Sequence, residues 1–279
     1  MKTALVLEGG AMRGIYTAGI LDVLMENDIK VDAVIGVSAG ALFGINYVSH
    51  QIGRVVRYNK KYAGDKRYFG MHSFLTTGNI MNKEFCFNDI IYKLDKFDFD
   101  TFSKSKVDFY SVVTNLETGK AEYIKTKDLE KDMEYFRASG SMPLVSKIVE
   151  VNGNKYLDGG IADSIPLQKA KELGYDRIIV VLTRPKEYRK KPLNMMIYKL
   201  VYRKYPNFID ALANRYKNYN NTVEQIIRSE KQKEIFVFRP KEELNINKVE
   251  KDVNKIQAVY DLGVEDANKL KDDLLKYLA

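Results

Sequence analysis

Two short apolar runs constrain this chain more than any other feature in it. Thr3-Ala4-Leu5-Val6-Leu7 and Ala33-Val34-Ile35-Gly36-Val37 each end in a glycine-rich turn that opens into a helix-like segment. After the first turn Tyr16, Ile20, Val23 and Leu24 recur at helical spacing, which predicts a helix of roughly three turns. A chain that begins strand, helix, strand, helix commits itself to parallel pairing, because parallel neighbours need a crossover and the helix supplies it. The expected fold class is α/β, three layers with a mostly parallel central sheet. A length of 279 residues with 45% hydrophobic content suits one such domain carrying an insertion.

From Gly53 to about Asp100 the apolar pattern loses regularity, and this stretch is expected to be an inserted lid. Strands then resume. Val107 to Val113 and Ala121 to Ile124 flank Glu117-Thr118-Gly119-Lys120 as a hairpin, and Lys147 to Val151 pairs with Lys155-Tyr156-Leu157 across Asn152-Gly153-Asn154. Pro166 starts a helix to Leu173, Arg177 to Leu182 is a core strand, and the remainder reads as mainly helical around Ile235-Phe236-Val237-Phe238. The longest apolar run is too short to span a bilayer, and the first strand begins without a signal-peptide pattern, so a cytoplasmic protein is expected. Cys86 is the single cysteine, which excludes an internal disulfide and leaves no ligand spacing for structural zinc.

Gly36-Val37-Ser38-Ala39-Gly40 fits G-x-S-x-G between a strand and a helix, the setting of a nucleophile elbow. Such a turn leaves the serine hydroxyl exposed at a helix N-terminus and aims backbone N–H groups at a developing anion. Glu8-Gly9-Gly10-Ala11-Met12-Arg13-Gly14 is a second glycine-rich turn that can cradle a phosphate or an oxyanion. Gly9, Ala11 and Gly14 also form a loose dinucleotide fingerprint, but the second strand ends at Ser38 where a ribose-binding acid belongs. A Ser-Asp-His order cannot be built, because the two histidines, His50 and His72, precede the later acidic candidates. His50 lies twelve residues beyond Ser38 on the expected helix, roughly 18 Å along its axis. A carboxylate can serve as base if burial or like charge brings its pKa towards working pH, and Leu157-Asp158-Gly159-Gly160 offers one after a short strand.

Taken in chain order, Gly9-Gly10-Ala11-Met12-Arg13-Gly14, Gly36-Val37-Ser38-Ala39-Gly40 and Asp158-Gly159-Gly160 resemble the patatin-like phospholipase family. Ala138-Ser139-Gly140-Ser141-Met142-Pro143 is similar to a further family block, with Ser141 replacing a small apolar residue. The resemblance covers about residues 3–183 and implies a Ser38–Asp158 dyad that cleaves lipid acyl esters through an acyl-enzyme. It further implies an oxyanion hole from the backbone of Gly9, Gly10, Ala11, Met12, Arg13, Gly14 and Ala39, with Gly36, Gly40, Gly159 and Gly160 as motif glycines and neither cofactor nor metal. Ala11 stands where many members have a third glycine.

Residues 1–183 are thus expected to form the catalytic domain, with the lid at about 53–100, and 184–279 a mainly helical extension packed on it. The formal charge is +8, and Arg184 to Lys217 holds ten Lys/Arg against Glu187 and Asp210. Within it Leu193, Met196, Ile197, Leu200 and Val201 fall on one helix face beside Lys199, Arg203 and Lys204. That face is expected to pack on the domain, with peripheral contact to an anionic membrane as the alternative. No nucleic-acid motif accompanies the charge. A noncatalytic lipid-binding protein and a nucleotide-binding enzyme are the rival functions.

Overall fold

Every residue of β1 (Thr3–Leu7) and β2 (Ala33–Val37) is buried, as the continuous apolar runs require of strands covered on both faces. The structure, a computed structural model describing residues 1–279, adds β3 (Asp108–Asn115), β4 (Ala121–Thr126), β5 (Val149–Val151), β6 (Asn154–Asp158), β7 (Arg177–Val181) and β8 (Ile235–Phe238). They form one eight-stranded sheet of order β5-β6-β3-β2-β1-β7-β8, with β4 also paired to β3. Pairing is parallel from β3 through β2, β1 and β7 to β8, and antiparallel for β4, β5 and β6. The expected hairpins are both present, and Asn152 and Gly153 turn the second with positive φ angles of 50° and 77°.

Alternate side chains enter two cores. Leu5, Leu7, Val34, Ile179 and Val181 pack beneath α1 (Gly14–Glu26) and α2 (Ala39–Val48). The same core takes in residues of α3 (Arg54–Tyr62), a π-helix at Phe85–Leu94 and α5 (Phe99–Lys104), while Ser73 is the one buried residue of the short α4 (Met71–Thr77). The stretch expected as a lid is therefore helical, and Val55, Tyr58, Tyr62, Phe85, Phe87, Ile90 and Ile91 anchor it in the core. Ala4, Val6, Ile35, Val37, Ile178 and Val180 face the opposite side. The helices α6 (Met133–Ser139), α7 (Leu167–Glu172), α8 (Met196–Val201), α9 (Pro206–Lys231) and α10 (Val253–Leu278) complete the chain. Of these, α7 and α9 cover the second face through Leu167, Ala170, Tyr219, Val223 and Ile226, which makes the three layers.

One helix departs from expectation. The apolar side of α8 does not pack on the domain: Met196 is 78% exposed and Leu200 70%, and no residue of the helix is buried. An amphipathic repeat specifies that a helix has two faces, not which of them meets solvent, and only six residues of α8 are helical.

The last helix docks by close backbone approach. A Cβ at Gly263 would lie 2.2 Å from the carbonyl oxygen of Tyr16, and one at Gly19 would lie 2.3 Å from that of Tyr260. Around this crossing the Tyr16 hydroxyl donates to Asp266 and the Tyr260 hydroxyl to Asp22, each at 2.7 Å. Replacing a helical glycine by alanine ordinarily gains about 1 kcal/mol. Gly263→Ala will instead lose roughly 1–3 kcal/mol, because the methyl meets main chain that cannot yield locally. Thermal unfolding checks this, and a Tm at or above that of the unmodified protein would refute the close crossing.

Candidate active site

The turn after β2 holds Ser38 at φ 52°, ψ −122°, a conformation that costs a residue with a Cβ on the order of 1–3 kcal/mol. Its neighbours make the turn possible. A Cβ at Gly40 would fall 2.5 Å from the Leu7 carbonyl oxygen, and one at Gly36 would fall 2.6 Å from the Ala41 backbone nitrogen. The strained turn is also tied across the chain, since the Ser38 N–H donates to Ser139 Oγ at 2.9 Å.

Strand register brings the carboxylate to this serine. Residues 109–114 of β3 pair with β4 along one edge, while residues 108–112 pair with β2 along the other. Because β3 outlasts β2, its free edge at residues 113–115 accepts β6, with Val113 opposite Asp158 where Val112 lies opposite Val37. Asp158 is thereby set just past the end of β2, and Ser38 Oγ donates to Asp158 Oδ2 at 2.7 Å. The second oxygen, Oδ1, accepts the Gly160 N–H at 2.7 Å, and the Asp158 N–H donates to the Ser141 carbonyl at 2.8 Å. Burial pushes the Asp158 pKa above the usual carboxylate range, against the opposing pull of the Ser38 and Gly160 hydrogen bonds and of Arg215 and Lys190 nearby.

The first glycine-rich loop lies directly on the Ser38 turn: a Cβ at Gly9 would be 3.1 Å from that of Ser38. Of the seven backbone positions expected around an oxyanion, three use their N–H groups internally: Gly9 to Ser164, Arg13 to Gly10 and Gly14 to Ala11. The N–H group of Gly10 has no acceptor within the chain, and those of Ala11, Met12 and Ala39, in the first turns of their helices, donate to no side chain. Ala11, at φ 48°, sits in the left-handed region that favours glycine. Glu8, at the foot of the loop, is buried and accepts from the Thr183 N–H at 2.6 Å and from the Tyr219 hydroxyl at 2.8 Å.

Ser38 lines two cavities. One is apolar, walled by Leu42, Phe43, Phe87, Ile90 and Phe136. The other, about 490 Å³, is bordered by Asp158, the Gly9–Gly10 loop and several cations. The cations of Arg184 to Lys217 divide between two places: Arg184, Lys190, Lys191 and Arg215 line this cleft, while Lys199, Arg203 and Lys204 do not. Neither histidine contributes, for His50 ends the α2 segment exposed and His72 is exposed on α4. Cys86 is partly buried, its thiol donating to the Tyr68 carbonyl at 3.3 Å, and burial raises its pKa, so it behaves as a packing residue. Sequence reasoning assigned no role to Ser139 or Tyr219; the first was visible only as a member of its block, and no local signal marks the second.

A family model described as "Patatin-like phospholipase" matches residues 5–171, and a domain of unknown function matches residues 205–279. An uncharacterised protein of Escherichia coli, YjjU, is 29% identical over 197 residues, covering 68% of this chain and 54% of that protein. Lysophospholipase nte1 of Neurospora crassa is 29% identical over 194 residues, covering 64% of this chain. The chain spans about half the length of the first relative and 12% of the second. The crystal structure of VipD from Legionella pneumophila shares the fold with a TM-score of 0.50 at 14% identity, covering 98% of this chain and 67% of that one.

The buried carboxylate has a consequence for stability. A folded pKa raised above the unfolded value of about 3.9 means that folding favours the protonated acid, so stability falls as pH rises through the folded pKa. Asp158→Asn keeps the shape and an acceptor without the charge. Its Tm will exceed that of the unmodified protein at pH 8, and the gap will close as pH falls towards about 4. A variant less stable than the unmodified protein at pH 8 would show that the ionised form is net stabilising.

Proposed function

The chain belongs to the patatin-like phospholipase family, and we propose that it hydrolyses lipid acyl esters with Ser38 as nucleophile and Asp158 as general base. The observation that carries this reading is the 2.7 Å hydrogen bond from Ser38 Oγ to a buried Asp158 carboxylate at the junction of two cavities. Asp158 Oδ2 takes the hydroxyl proton as Oγ bonds to the acyl carbon, and the carbonyl electrons move onto oxygen. The N–H groups of Gly10, Ala11, Met12 and Ala39 are the donors available to that oxyanion. Collapse breaks the bond to the alcohol, which leaves with the proton from Asp158. Water then attacks the acyl-enzyme with Asp158 again as base, and the fatty acid departs as Ser38 recovers its proton. The carboxylate's raised pKa suits it to both transfers. In this reading residues 1–183 carry the chemistry, 53–100 wall the acyl cavity, and 184–279 belong to the same unit through α9 and α10.

The alcohol-side cleft opens beside α8, because Leu193 and Tyr198 line it. The exposed Met196, Ile197, Leu200 and Val201, next to Lys199, Arg203 and Lys204, suit insertion into the headgroup region of an anionic bilayer. No helix is long and apolar enough to cross a membrane, so this contact would be peripheral.

A fluorophosphonate probe will label the protein once, at Ser38, and Ser38→Ala will abolish both labelling and ester hydrolysis. Asp158→Asn will lower kcat by at least about 100-fold, while His50→Ala and His72→Ala keep most activity. Labelling that survives Ser38→Ala, or a comparable loss from either histidine variant, would overturn the dyad.

Flotation with phosphatidylglycerol vesicles will recover more protein than with phosphatidylcholine vesicles. Met196→Ser with Leu200→Ser will reduce recovery on both, and Lys199, Arg203 and Lys204 changed together to Gln will erase the difference, each cation contributing up to about 1 kcal/mol. Equal recovery of all three proteins would remove α8 from membrane contact.

A further inference from the structure

The two cavities that meet at Ser38 differ in chemistry, and an ester held there must place its two halves differently. The acyl half belongs in the cavity of Leu42, Phe43, Phe87, Ile90 and Phe136, whose single charged liner, Arg54, is engaged by Asn46 and the Asp95 carbonyl. The alcohol half then enters the cleft lined by Arg13, Arg184, Lys190, Lys191, Arg215 and Lys248. Of these six only Arg184 is paired to a carboxylate, that of Glu243. The others are held by neutral groups or by nothing: Lys190 Nζ donates to Ser164 Oγ at 3.0 Å, Arg215 Nε donates to the Gly160 carbonyl, and Arg13 Nε is buried without a partner. The acids of the cleft do not answer this charge. Glu8 is occupied by Thr183 and Tyr219, and Asp158 by Ser38 and Gly160.

Resting on the hydrolase reading above, we propose that the alcohol carries a phosphate monoester, so that the preferred substrates are acylglycerol phosphates. A dianion satisfies several unpaired guanidinium and ammonium groups at once, and planar Arg forks suit phosphate oxygens in particular. A choline head does not fit this cleft. It would bring a cation among cations, and the two tyrosine faces nearest those cations are already taken: Lys190 Nζ lies 3.6 Å over the Tyr219 ring and the Arg184 guanidinium 4.3 Å over Tyr188. Mutual repulsion within the cluster agrees with this, since Lys190, Lys248 and Arg13 are all held below their ordinary pKa by burial first and by neighbouring arginines next.

The test compares kcat/KM for 1-acylglycerol 3-phosphate and for the choline lysophospholipid of the same chain. Both are presented in excess neutral detergent, so that bilayer charge plays no part, with p-nitrophenyl butyrate as a headgroup-free ester. The phosphate substrate should be preferred by roughly tenfold or more, and Lys248→Gln, a change at the rim of the cleft where the side chain still reaches solvent, should shrink that preference about threefold or more. Glycerol 3-phosphate should inhibit competitively against the phosphate lipid. Equal or reversed preference overturns the headgroup assignment while turnover of the nitrophenyl ester keeps the hydrolase reading intact. Acceleration of nitrophenyl ester hydrolysis by free inorganic phosphate, without a lipid preference, would make the cleft a regulatory anion site and likewise overturn it. Loss of turnover on all three esters would defeat the hydrolase reading itself.

Discussion

The edge of β3 that faces β2 is shared between two strands, and the site depends on this division. β2 uses residues 108–112 and runs parallel, whereas β6 uses 113–115 and runs antiparallel, so two chain segments meet end to end on one edge. Backbone hydrogen bonding fixes Val37 and Asp158 opposite neighbouring residues of β3, and their meeting does not depend on flexible side chains. A slip of one residue in β6 would turn Asp158 to the other face of the sheet. The hydrogen bond between Ser38 and Asp158 is thus a product of register, with Ser139 and Gly160 trimming the orientation.

That arrangement stores unfavourable energy in two places. Ser38 is held at positive φ, and Asp158 is an acid kept from water beside it. Both are costs that elements elsewhere must offset: the sheet through backbone pairing, and the two cores through burial on either side. Gly40 limits the cost by letting the turn lie against the end of β1, and Gly36 by letting the start of α2 lie against β2, where any side chain would meet main chain.

Much of this was legible before any coordinates. Glycine and the apolar alternation announce strands and turns locally, so the strand-helix start, both hairpins and the helix after Pro166 could be read residue by residue. What could not be read depends on partners distant in the chain. The periodicity of α1 shows one apolar face, yet nearly the whole helix is buried, because α10 covers its outer side from 238 to 250 residues away. Charge counting found the excess in Arg184 to Lys217 but could not divide cleft-lining Lys190 and Arg215 from the residues around α8, since charge has no period that reports direction. The outward turn of α8 escaped for the same reason: an apolar stripe fits a core or an open surface equally well. Ser139 is a serine in a helix until the fold brings the Ser38 N–H to it.

The crossing of α1 and α10 bears on how the chain is made. The Tyr16 hydroxyl meets Asp266 across 250 positions of sequence, so the apolar back of α1 has no cover while the intervening chain is still emerging from the ribosome. The parallel strands beside it face the same delay, because β7 joins β1 only after most of the polypeptide exists. During synthesis that face of the amino-terminal third therefore stays open until α10 has been made, and the lag lengthens the time in which exposed apolar surface can make non-native contacts.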